Sequence, residues 1–150
     1  MKDILRLKET VRKLLAGQRL AVLATHGQTG PYANLVAFAA TDDLKHVLFA
    51  TGRSTRKFAN MEADARVALL VDNRANEESD FQEASAATIM GRAEPVPEAA
   101  KGALAQLYLR KHPSMREFIA SPACAFLRVN VETYYLVTRF QDVVELRISE

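Results

Sequence analysis

The chain has 150 residues, of which 49% are hydrophobic and 25% charged; these are ordinary values for a globular protein and exclude a disordered chain. A domain of this length buries roughly 70% of the surface that its unfolded form exposes, so we expect residues 1–150 to form a single domain. The formal net charge of +2, without an arginine-rich or basic-aromatic stripe, argues against nucleic-acid binding.

The N-terminal segment and the cysteine content indicate the compartment. The first 15 residues are charged throughout and lack the apolar core of a secretion signal. Cys124 is the one cysteine and cannot form an internal disulfide. The longest uncharged runs have the length of a strand and are interrupted by Gly, Pro and polar residues, which argues against a membrane span. We therefore expect a cytoplasmic protein that does not interact with membranes.

The first half of the chain is predicted to form a helix and four strands. Apolar residues recur at helical spacing from Ile4 to Leu15, and Gly17 is placed to end that helix. Apolar-rich segments separated by short turns follow, which is typical of an antiparallel meander. The strands are predicted at Leu20–Thr25, Tyr32–Ala39, His46–Thr51 and Arg66–Asp72.

Between the third and fourth predicted strands, hydroxyl and basic side chains lead directly into a short helix. The residues are Thr51, Ser54, Thr55, Arg56 and Lys57. The hydroxyls can cap the helix and donate hydrogen bonds, while the two cations and the free N–H groups of a helix start attract a phosphate. Taken alone, S-T-R-K is more typical of a capped amphipathic helix with a solvated basic pair. Only the surrounding segments favour the phosphate interpretation.

The second half is predicted to add four strands and two helices. The polar, acidic segment Asn73–Phe81 is predicted to be a loop, and Pro95 and Pro97 end the strand that follows it. The strands are predicted at Ala84–Arg92, Ala123–Val131, Thr133–Thr138 and Val143–Ile148, and the helices at Pro97–His112 and Ser114–Ala120. The fold class is therefore mainly β (α+β), with an antiparallel sheet, an N-terminal helix and two or three further helices.

This order of segments resembles the pyridoxamine 5'-phosphate oxidase-like, FMN-binding split-barrel family. In that family a strand that ends in an aromatic or small residue plus Thr leads into Ser/Thr-Arg-Lys, a short helix and an Arg-Val-Ala/Ser-Leu-Leu-Val strand. The chain has V-L-F-A-T, S-T-R-K and R-V-A-L-L-V in the same order. The resemblance covers Arg19 to Val96, about half of the chain, and is more specific as an ordered series than any one motif.

The resemblance implies a small antiparallel split β-barrel that forms a homodimer. FMN then lies in a cleft between the two barrels, so that each site uses both chains. The filled interior of a small barrel cannot enclose a flavin in any case. The contacts implied are Thr55, Arg56 and Lys57 on the phosphate, Ala50 and Thr51 at the ring and ribityl chain, and Asn34, Leu35 and Val36 along the ring edge. Small residues on the strands suit a partner surface or a flat ring: Ala33, Ala37, Ala39, Ala86 and Ala87.

Two further candidates for cofactor binding lie outside these motifs. Arg74 follows the end of the fourth predicted strand, which the resemblance puts near the cofactor, although a charged loop residue is more often solvated. The segment Arg139-Phe140-Gln141 either crosses to the flavin of the partner subunit or forms a hairpin turn, and Phe140 is the candidate contact within it.

The chain departs from the pattern of a true pyridoxamine-phosphate oxidase. Such an enzyme carries an Arg and a Lys on the second strand, Tyr, Arg and Ser on the substrate helix, and a Gln on a later strand. The chain has Asn34 or Leu35 and then Ala40 on the strand, His112 and Arg116 after the retained Tyr108, and Ala86 in place of the Gln. We therefore expect the vitamin-B6 substrate site to be degraded or repurposed.

The three histidines, His26, His46 and His112, are far apart in sequence and lack a second ligand at metal spacing, so a metal site is not expected. His26 is interpreted as a turn residue.

The function expected is that of an FMN-dependent oxidoreductase or flavin reductase with NAD(P)H as the candidate electron donor. Since the flavin carries the chemistry, no side-chain acid or base is required. The alternatives are a non-catalytic flavin protein for storage, sensing or electron transfer, and a deazaflavin- or haem-binding protein.

Overall fold

The computed structural model describes residues 2–148 and contains one antiparallel sheet of seven strands surrounded by helices. The helices are α1 (Lys2–Gly17), α2 (Arg56–Ala63), α3 (Asp80–Glu83), α4 (Glu98–Lys111) and α5 (Arg116–Ala120), with a 3-10 turn at Pro113–Met115. The strands are β1 (Leu20–Gly27), β2 (Gly30–Ala40), β3 (His46–Gly52), β4 (Arg66–Asp72), β5 (Ser85–Pro95), β6 (Cys124–Thr138) and β7 (Asp142–Arg147). None of the helices in this part of the chain has the length and apolar character that crossing a bilayer requires.

Six of the strands close into a barrel. The strand order is β3-β2-β1-β4-β5-β6-β7, and an additional pairing between β3 and β6 closes the ring. β6 is 15 residues long and pairs with β3 through its first half and with β7 through its second half. β7 therefore forms a hairpin that extends beyond the closed barrel.

The predicted meander is wrong at one connection. β1, β2 and β3 follow one another as expected, but β4 pairs with β1 and not with β3. The reason is that β3 uses its second edge to pair with β6, from His46↔Asn130 to Gly52↔Cys124. α2 carries the chain across the end of the barrel to the free edge of β1.

The two strands predicted at Ala123–Val131 and Thr133–Thr138 form the single strand β6. The register against β5 shifts by one residue next to Gly91, where Val131 pairs with Gly91 and Thr133 pairs with Met90. The extra residue is Glu132, and it moves the buried positions from Val131 to Tyr134. A β-bulge inserted in this way bends a strand without ending it.

The number of helices was also underestimated. Four α-helices follow α1, where two or three further helices were predicted, and α3 begins inside the segment predicted as the loop Asn73–Phe81. The carboxylate of Asp80 explains this turn, because it accepts hydrogen bonds from the backbone N–H groups of Ala75, Asn76 and Glu77 at 2.8, 2.7 and 3.1 Å. The other predicted elements agree with the structure to within a few residues at their ends.

Two groups of buried side chains fill the molecule. The larger lies inside the barrel and under α1, and the smaller lies between the barrel and α4. Ala87 belongs to the first group and Ala39 to the second. The prediction that these two alanines lie on an open flat surface is therefore wrong, because both point to the buried side of their strands; Ala33 is exposed, and Ala37 and Ala86 are partly exposed.

The barrel is open between β2 and β3. Only the last three residues of β2 pair with β3, from Phe38↔Phe49 to Ala40↔Val47. Before Phe38, β2 pairs only with β1, along its whole length back to Gly30. We call this opening, between residues 30–37 of β2 and the end of β3 with the start of α2, the β2–β3 gap.

Candidate functional site

The start of α2 is built by a network of two threonine hydroxyls. Thr55 is the N-cap, and its Oγ1 accepts a hydrogen bond from the Phe58 N–H at 3.3 Å and donates to the Gly52 carbonyl at 2.9 Å. The Thr51 hydroxyl lies 2.9 Å from the same oxygen. Because the first N–H groups of a helix have no partner within the helix, those of Arg56 and Lys57 stay available for a ligand.

A cavity of about 900 Å³ lies beside this helix start. Ser54, Thr55 and Arg56 line one side of it, and the turn between β1 and β2 lines the other. The Arg56 guanidinium lies 5.5 Å from the centre of the Tyr32 ring, which is a cation–π contact that holds the cation at the cavity wall. Lys57 is partly exposed and does not line this cavity.

The cavity also has an acidic side. Asp64 lines it at the far end of α2, but its carboxylate is engaged by Arg66, with 2.7 Å between Arg66 Nη2 and Asp64 Oδ2. The hydrogen bonds from Arg66 hold the pKa of Asp64 well below its usual range. Because Asp64 is neutralised by its own partner, Arg56 is left as the unpaired charge on this wall among the described residues.

β2 presents its free edge to the gap. The Ala37 carbonyl accepts a hydrogen bond from the Tyr108 hydroxyl of α4 at 3.1 Å, so this carbonyl points away from β1. Because backbone groups alternate along a strand, Ala33 and Leu35 direct theirs to the same side. Of the ring-edge residues predicted from the sequence, Leu35 is the one that offers backbone donors and acceptors to the gap.

Asn34 contributes an unpaired polar atom. Its side chain points to the interior side of β2, like that of Val36, and its Oδ1 is buried without a hydrogen-bond partner among the described residues. A buried amide oxygen of this kind costs free energy unless a donor reaches it. This oxygen is therefore an unpaired acceptor near the gap, to which a ligand group or an ordered water can donate a hydrogen bond.

α2 is fixed to the barrel by a pair that sequence reasoning missed. The Asn60 Nδ2 donates to the Thr25 Oγ1 at 3.0 Å, and both residues are buried. Asn60 lies four residues after Arg56, so the two share one face of the helix. The four-residue spacing is visible in the sequence, but the hydrogen bond from Asn60 to Thr25, which lies 35 residues earlier, is not.

Two of the predicted site residues lie elsewhere. Arg74 and Phe140 line a different cavity, of about 460 Å³, together with Asp72 at the end of β4. Asp64, which lines the cavity beside α2, lies two residues before β4. The strand has 7 residues and is about 20 Å long, so the two cavities lie at opposite ends of it. One chain does not bring Arg74 or Phe140 to the start of α2.

The segment around Phe140 is a hairpin turn. Thr138 pairs with Asp142, and both Arg139 and Phe140 have positive φ, at 53° and 62°. The Phe140 ring packs edge-on against Phe81, with 5.0 Å between the ring centres. Arg74 forms a salt bridge to Asp72 at 2.9 Å. Both aromatic rings remain largely exposed.

The helix residues at the positions of a vitamin-B6 substrate site have other partners in this chain. Tyr108 is fully buried, and burial raises its pKa to about 12. The His112 Nε2 donates to the Phe38 carbonyl at 2.7 Å. These two side chains attach α4 to β2, while Arg116 lines a third cavity beside α5.

The three histidines lie on different elements: His26 in β1, His46 in β3 and His112 at the end of α4. Within residues 2–148 no three His, Cys, Asp or Glu side chains are grouped so as to hold a metal ion. His26 is the histidine that lines the cavity beside α2, at the end of β1. It is exposed and belongs to β1, where it pairs with Pro31, so it precedes the turn at residues 28 and 29 and is not the turn residue that was predicted.

The chain matches the family described as pyridoxamine 5'-phosphate oxidase over residues 7–138. No curated protein sequence matches it. The match extends well beyond the segment that carries the resemblance in the sequence, and it includes the whole of β6.

Solved structures share the fold at low identity. A haem-binding protein from Mycobacterium smegmatis is 16% identical with a TM-score of 0.83, over 93% of this chain and 57% of that one. A FAD-binding protein from Mesorhizobium loti is 21% identical with a TM-score of 0.67, over 87% and 90%. A protein from Clostridium acetobutylicum related to general stress protein 26, of the pyridoxinephosphate oxidase family, is 15% identical with a TM-score of 0.72, over 95% of both chains.

Proposed function

The chain belongs to the pyridoxamine 5'-phosphate oxidase family, and we propose on this basis that it is an FMN-binding oxidoreductase of the flavin reductase type. The observation that carries the proposal is the capped start of α2, with Arg56 on a cavity wall, next to a barrel edge that is left unpaired. A phosphate and a flat ring need these two features side by side.

The phosphate of FMN would bind at the start of α2. The guanidinium of Arg56 offers two parallel N–H donors, the N–H groups of Arg56 and Lys57 are free, and the exposed Ser54 hydroxyl can turn toward the same anion. Lys57 adds a second positive charge on the first turn. Thr51 and Thr55 would act mainly by holding this turn in place, since their hydroxyls bind each other.

The ring system would lie along the free edge of β2. The backbone groups of Ala33 and Leu35 face the gap, and the unpaired Asn34 oxygen needs a donor. Ala50, at the end of β3, borders the other side of the gap. Flavin edges carry N–H and carbonyl groups, so a strand edge with free donors and acceptors suits them without special side chains.

The flavin would supply hydride or electron transfer, and the protein would bind and orient it. NADH or NADPH is the candidate electron donor. No acid or base from the chain enters this proposal. The absence of the two strand cations of a vitamin-B6 site, and the use of Tyr108 and His112 to attach α4, support a poor pyridoxamine-phosphate oxidase activity.

We propose a homodimer with the cofactor at the interface. The outer face of the barrel has a continuous row across five strands, Leu35–Val22–Leu70–Thr88–Tyr135. Leu35, Leu70 and Tyr135 are 62%, 38% and 36% exposed. An apolar sheet face of this extent favours a partner subunit. Leu35 also borders the gap, so a partner on this face would reach the cofactor.

In a homodimer, Arg74 and Phe140 would come near the flavin bound by the partner subunit, where they would serve as the cofactor contacts predicted from the sequence. In their own chain they lie at the opposite end of β4 from the cavity beside α2. A second copy across the outer face can bring its own Phe140 turn toward the flavin, which one chain does not do.

Replacement of Leu70 by Glu tests this arrangement: light scattering should show a monomer, and FMN affinity should fall with it. Leu5→Glu, on exposed α1, is the matched control.

The catalytic and non-catalytic interpretations differ in one assay. Purified protein loaded with FMN should oxidise NADH or NADPH in steady state, with a spectrum that shows flavin reduction and reoxidation. Binding of FMN without turnover with either nucleotide identifies a storage, sensing or electron-transfer protein. Turnover of pyridoxamine or pyridoxine phosphate at the usual enzyme rate of about 1–1,000 per second would contradict the expected loss of vitamin-B6 activity.

Haem binding is the second candidate, and His26 is the observation that favours it. Its side chain lines the cavity beside α2, and imidazole is the commonest axial ligand of haem iron. Haemin titration followed by the Soret band tests the candidate. A band that is lost in His26→Ala would favour haem, whereas FMN affinity should be unaffected by that substitution.

A further inference from the structure

A cavity of about 560 Å³ lies between α4, α5 and the start of β6 and shares no lining residue with the cavity beside α2. Its floor is apolar and buried, since Val96, Cys124 and Phe126 are 8%, 6% and 7% exposed. Ala105 and Leu109 of α4 complete this apolar surface. The volume is in the range of small-molecule pockets, about 300–1,000 Å³.

The rim of the cavity is cationic. Arg53, Lys101 and Arg116 line it, against the single carboxylate of Glu98. Within residues 2–148 none of the three cations forms a salt bridge. Three cations from three separate parts of the chain therefore converge on one opening without anionic partners of their own.

Arg53 is held in place by the segment that precedes β6. Its backbone N–H donates to the Ala123 carbonyl at 2.8 Å, and its Nε donates to the Pro122 carbonyl at 3.2 Å. A guanidinium carries five N–H donors, so this bond leaves the others free for a ligand. An arginine fixed in this way loses less freedom when it binds an anion than a solvated one.

Two of the rim cations influence the pKa of the cysteine at the floor of the cavity. Burial raises the pKa of the Cys124 thiol, while the backbone of Thr51 and the positive charges of Arg53 and Lys101 oppose that rise. Both cations are therefore close enough to influence an ionised group at the floor. A bound anion would experience the same attraction.

We propose that this cavity binds a small amphiphilic anion, with its carboxylate or phosphate monoester on Arg53, Lys101 and Arg116 and its apolar body on the floor. The site is separate from the flavin site, and its existence does not depend on the proposed function. Its cationic rim selects the head group, and its apolar floor rejects fully hydrated anions such as inorganic phosphate.

The probes are octanoate, octyl phosphate and 1-octanol, and the reporter is the alkylation of Cys124 by the uncharged reagent iodoacetamide in the full chain. Either anion should slow alkylation at least tenfold at saturation. Octanol has the same apolar body without the charge and should bind at least tenfold more weakly. The anion that binds more tightly identifies the head group.

The cationic rim is tested by the double variant Lys101→Gln/Arg116→Gln, measured by calorimetric titration with octanoate. Its affinity should fall at least tenfold, while the control Arg6→Gln/Lys13→Gln, on exposed positions of α1, should bind as the parent does. Ala105→Phe, which fills the cavity without changing its charge, should abolish binding independently. FMN affinity should be unchanged in the double variant, so the two sites can fail separately.

Three results would overturn the proposal. The first is alkylation of Cys124 at an unchanged rate in 10 mM octanoate. The second is equal protection by octanol and octanoate, which would remove the role of the cations. The third is unchanged octanoate affinity in the folded Lys101→Gln/Arg116→Gln variant, with circular dichroism to verify the fold.

Discussion

The side of the barrel formed by β5 and β6 differs from the side formed by β2 and β3 in how far the backbone ladder runs. The first pair has eleven residue pairs in register, from Ser85↔Thr138 to Pro95↔Leu127, interrupted only by the bulge. The second has three. On the closed side the backbone groups satisfy one another, whereas on the open side they remain available.

The comparison shows where a small barrel can acquire a ligand site. Its interior is filled by side chains, so a ligand must use backbone groups that the sheet leaves free. In this chain those groups lie at the β2 edge, and the cation of Arg56 and the helix start lie next to them. Substitutions on the closed side should therefore change stability, and substitutions on the open side should change binding.

The largest expected effect is on the closed side, at Gly91. A Cβ at this position would overlap the Asn130 carbonyl oxygen and the Val129 side chain, so Gly91→Ala should destabilise the protein by about 3 kcal/mol or more. Urea unfolding measures this change. Gly102→Ala is the control, because nothing lies within 4 Å of its added methyl on α4, and it should stabilise by about 0.5–1 kcal/mol.

A smaller effect on stability is expected where α2 is attached to β1 by a buried hydrogen bond. Thr25→Val leaves the buried Asn60 amide without its acceptor, which should cost about 1–3 kcal/mol of unfolding free energy. Since Asn60 fixes the helix that carries Arg56, FMN affinity should fall as well. The exposed substitution Thr10→Val is the control. Partial recovery of stability in Thr25→Val/Asn60→Leu would show that the cost arises from the unpaired amide.

The order of the elements in the open region was readable from the sequence because its signals are local. Thr55 precedes a helical pattern as a cap, and Arg56 and Lys57 follow it, so a short helix was predicted directly after these hydroxyl side chains, where α2 begins. The strands β1 to β4 were predicted for the same reason, from apolar runs bounded by turn residues.

The features that the sequence did not reveal depend on pairing between distant segments. The neighbour of β4 depends on which edge β3 leaves free, and β3 pairs with a strand that begins more than 70 residues later. In the same way, the sequence did not show that Arg74 and Phe140 line one cavity at the far end of β4 from the cavity beside α2. Local sequence patterns do not show which residues the fold places at opposite ends of the barrel.

The smallest effect is electrostatic and lies on the closed side. Glu94 accepts hydrogen bonds from Asn130 Nδ2 at 2.9 Å and Arg128 Nε at 2.7 Å, and these bonds lower its pKa from the ordinary value of 4.5. Because the folded pKa is depressed, the stability from Glu94 is present above 4.5 and is lost as the pH falls through the folded pKa.

Glu94→Gln should remove that part of the acid destabilisation, by no more than about 1 kcal/mol because the carboxylate is partly exposed. Melting temperatures between pH 3 and 6 measure it, with Glu145→Gln on β7 as a control for an exposed carboxylate. An equal pH dependence in the parent and in Glu94→Gln would show that the network contributes nothing. FMN affinity at neutral pH should be unchanged in both variants.

The most direct test of the phosphate site is the ratio of the dissociation constants of riboflavin and FMN. Charge-assisted hydrogen bonds contribute about 1.5–3 kcal/mol each, so the unsubstituted chain should bind FMN at least about tenfold more tightly than riboflavin. In Arg56→Gln/Lys57→Gln this ratio should fall toward one, while Arg6→Gln/Lys13→Gln should keep it, at one fixed ionic strength. A ratio near one in the unsubstituted chain, or a ratio that survives loss of both Arg56 and Lys57, would contradict the account.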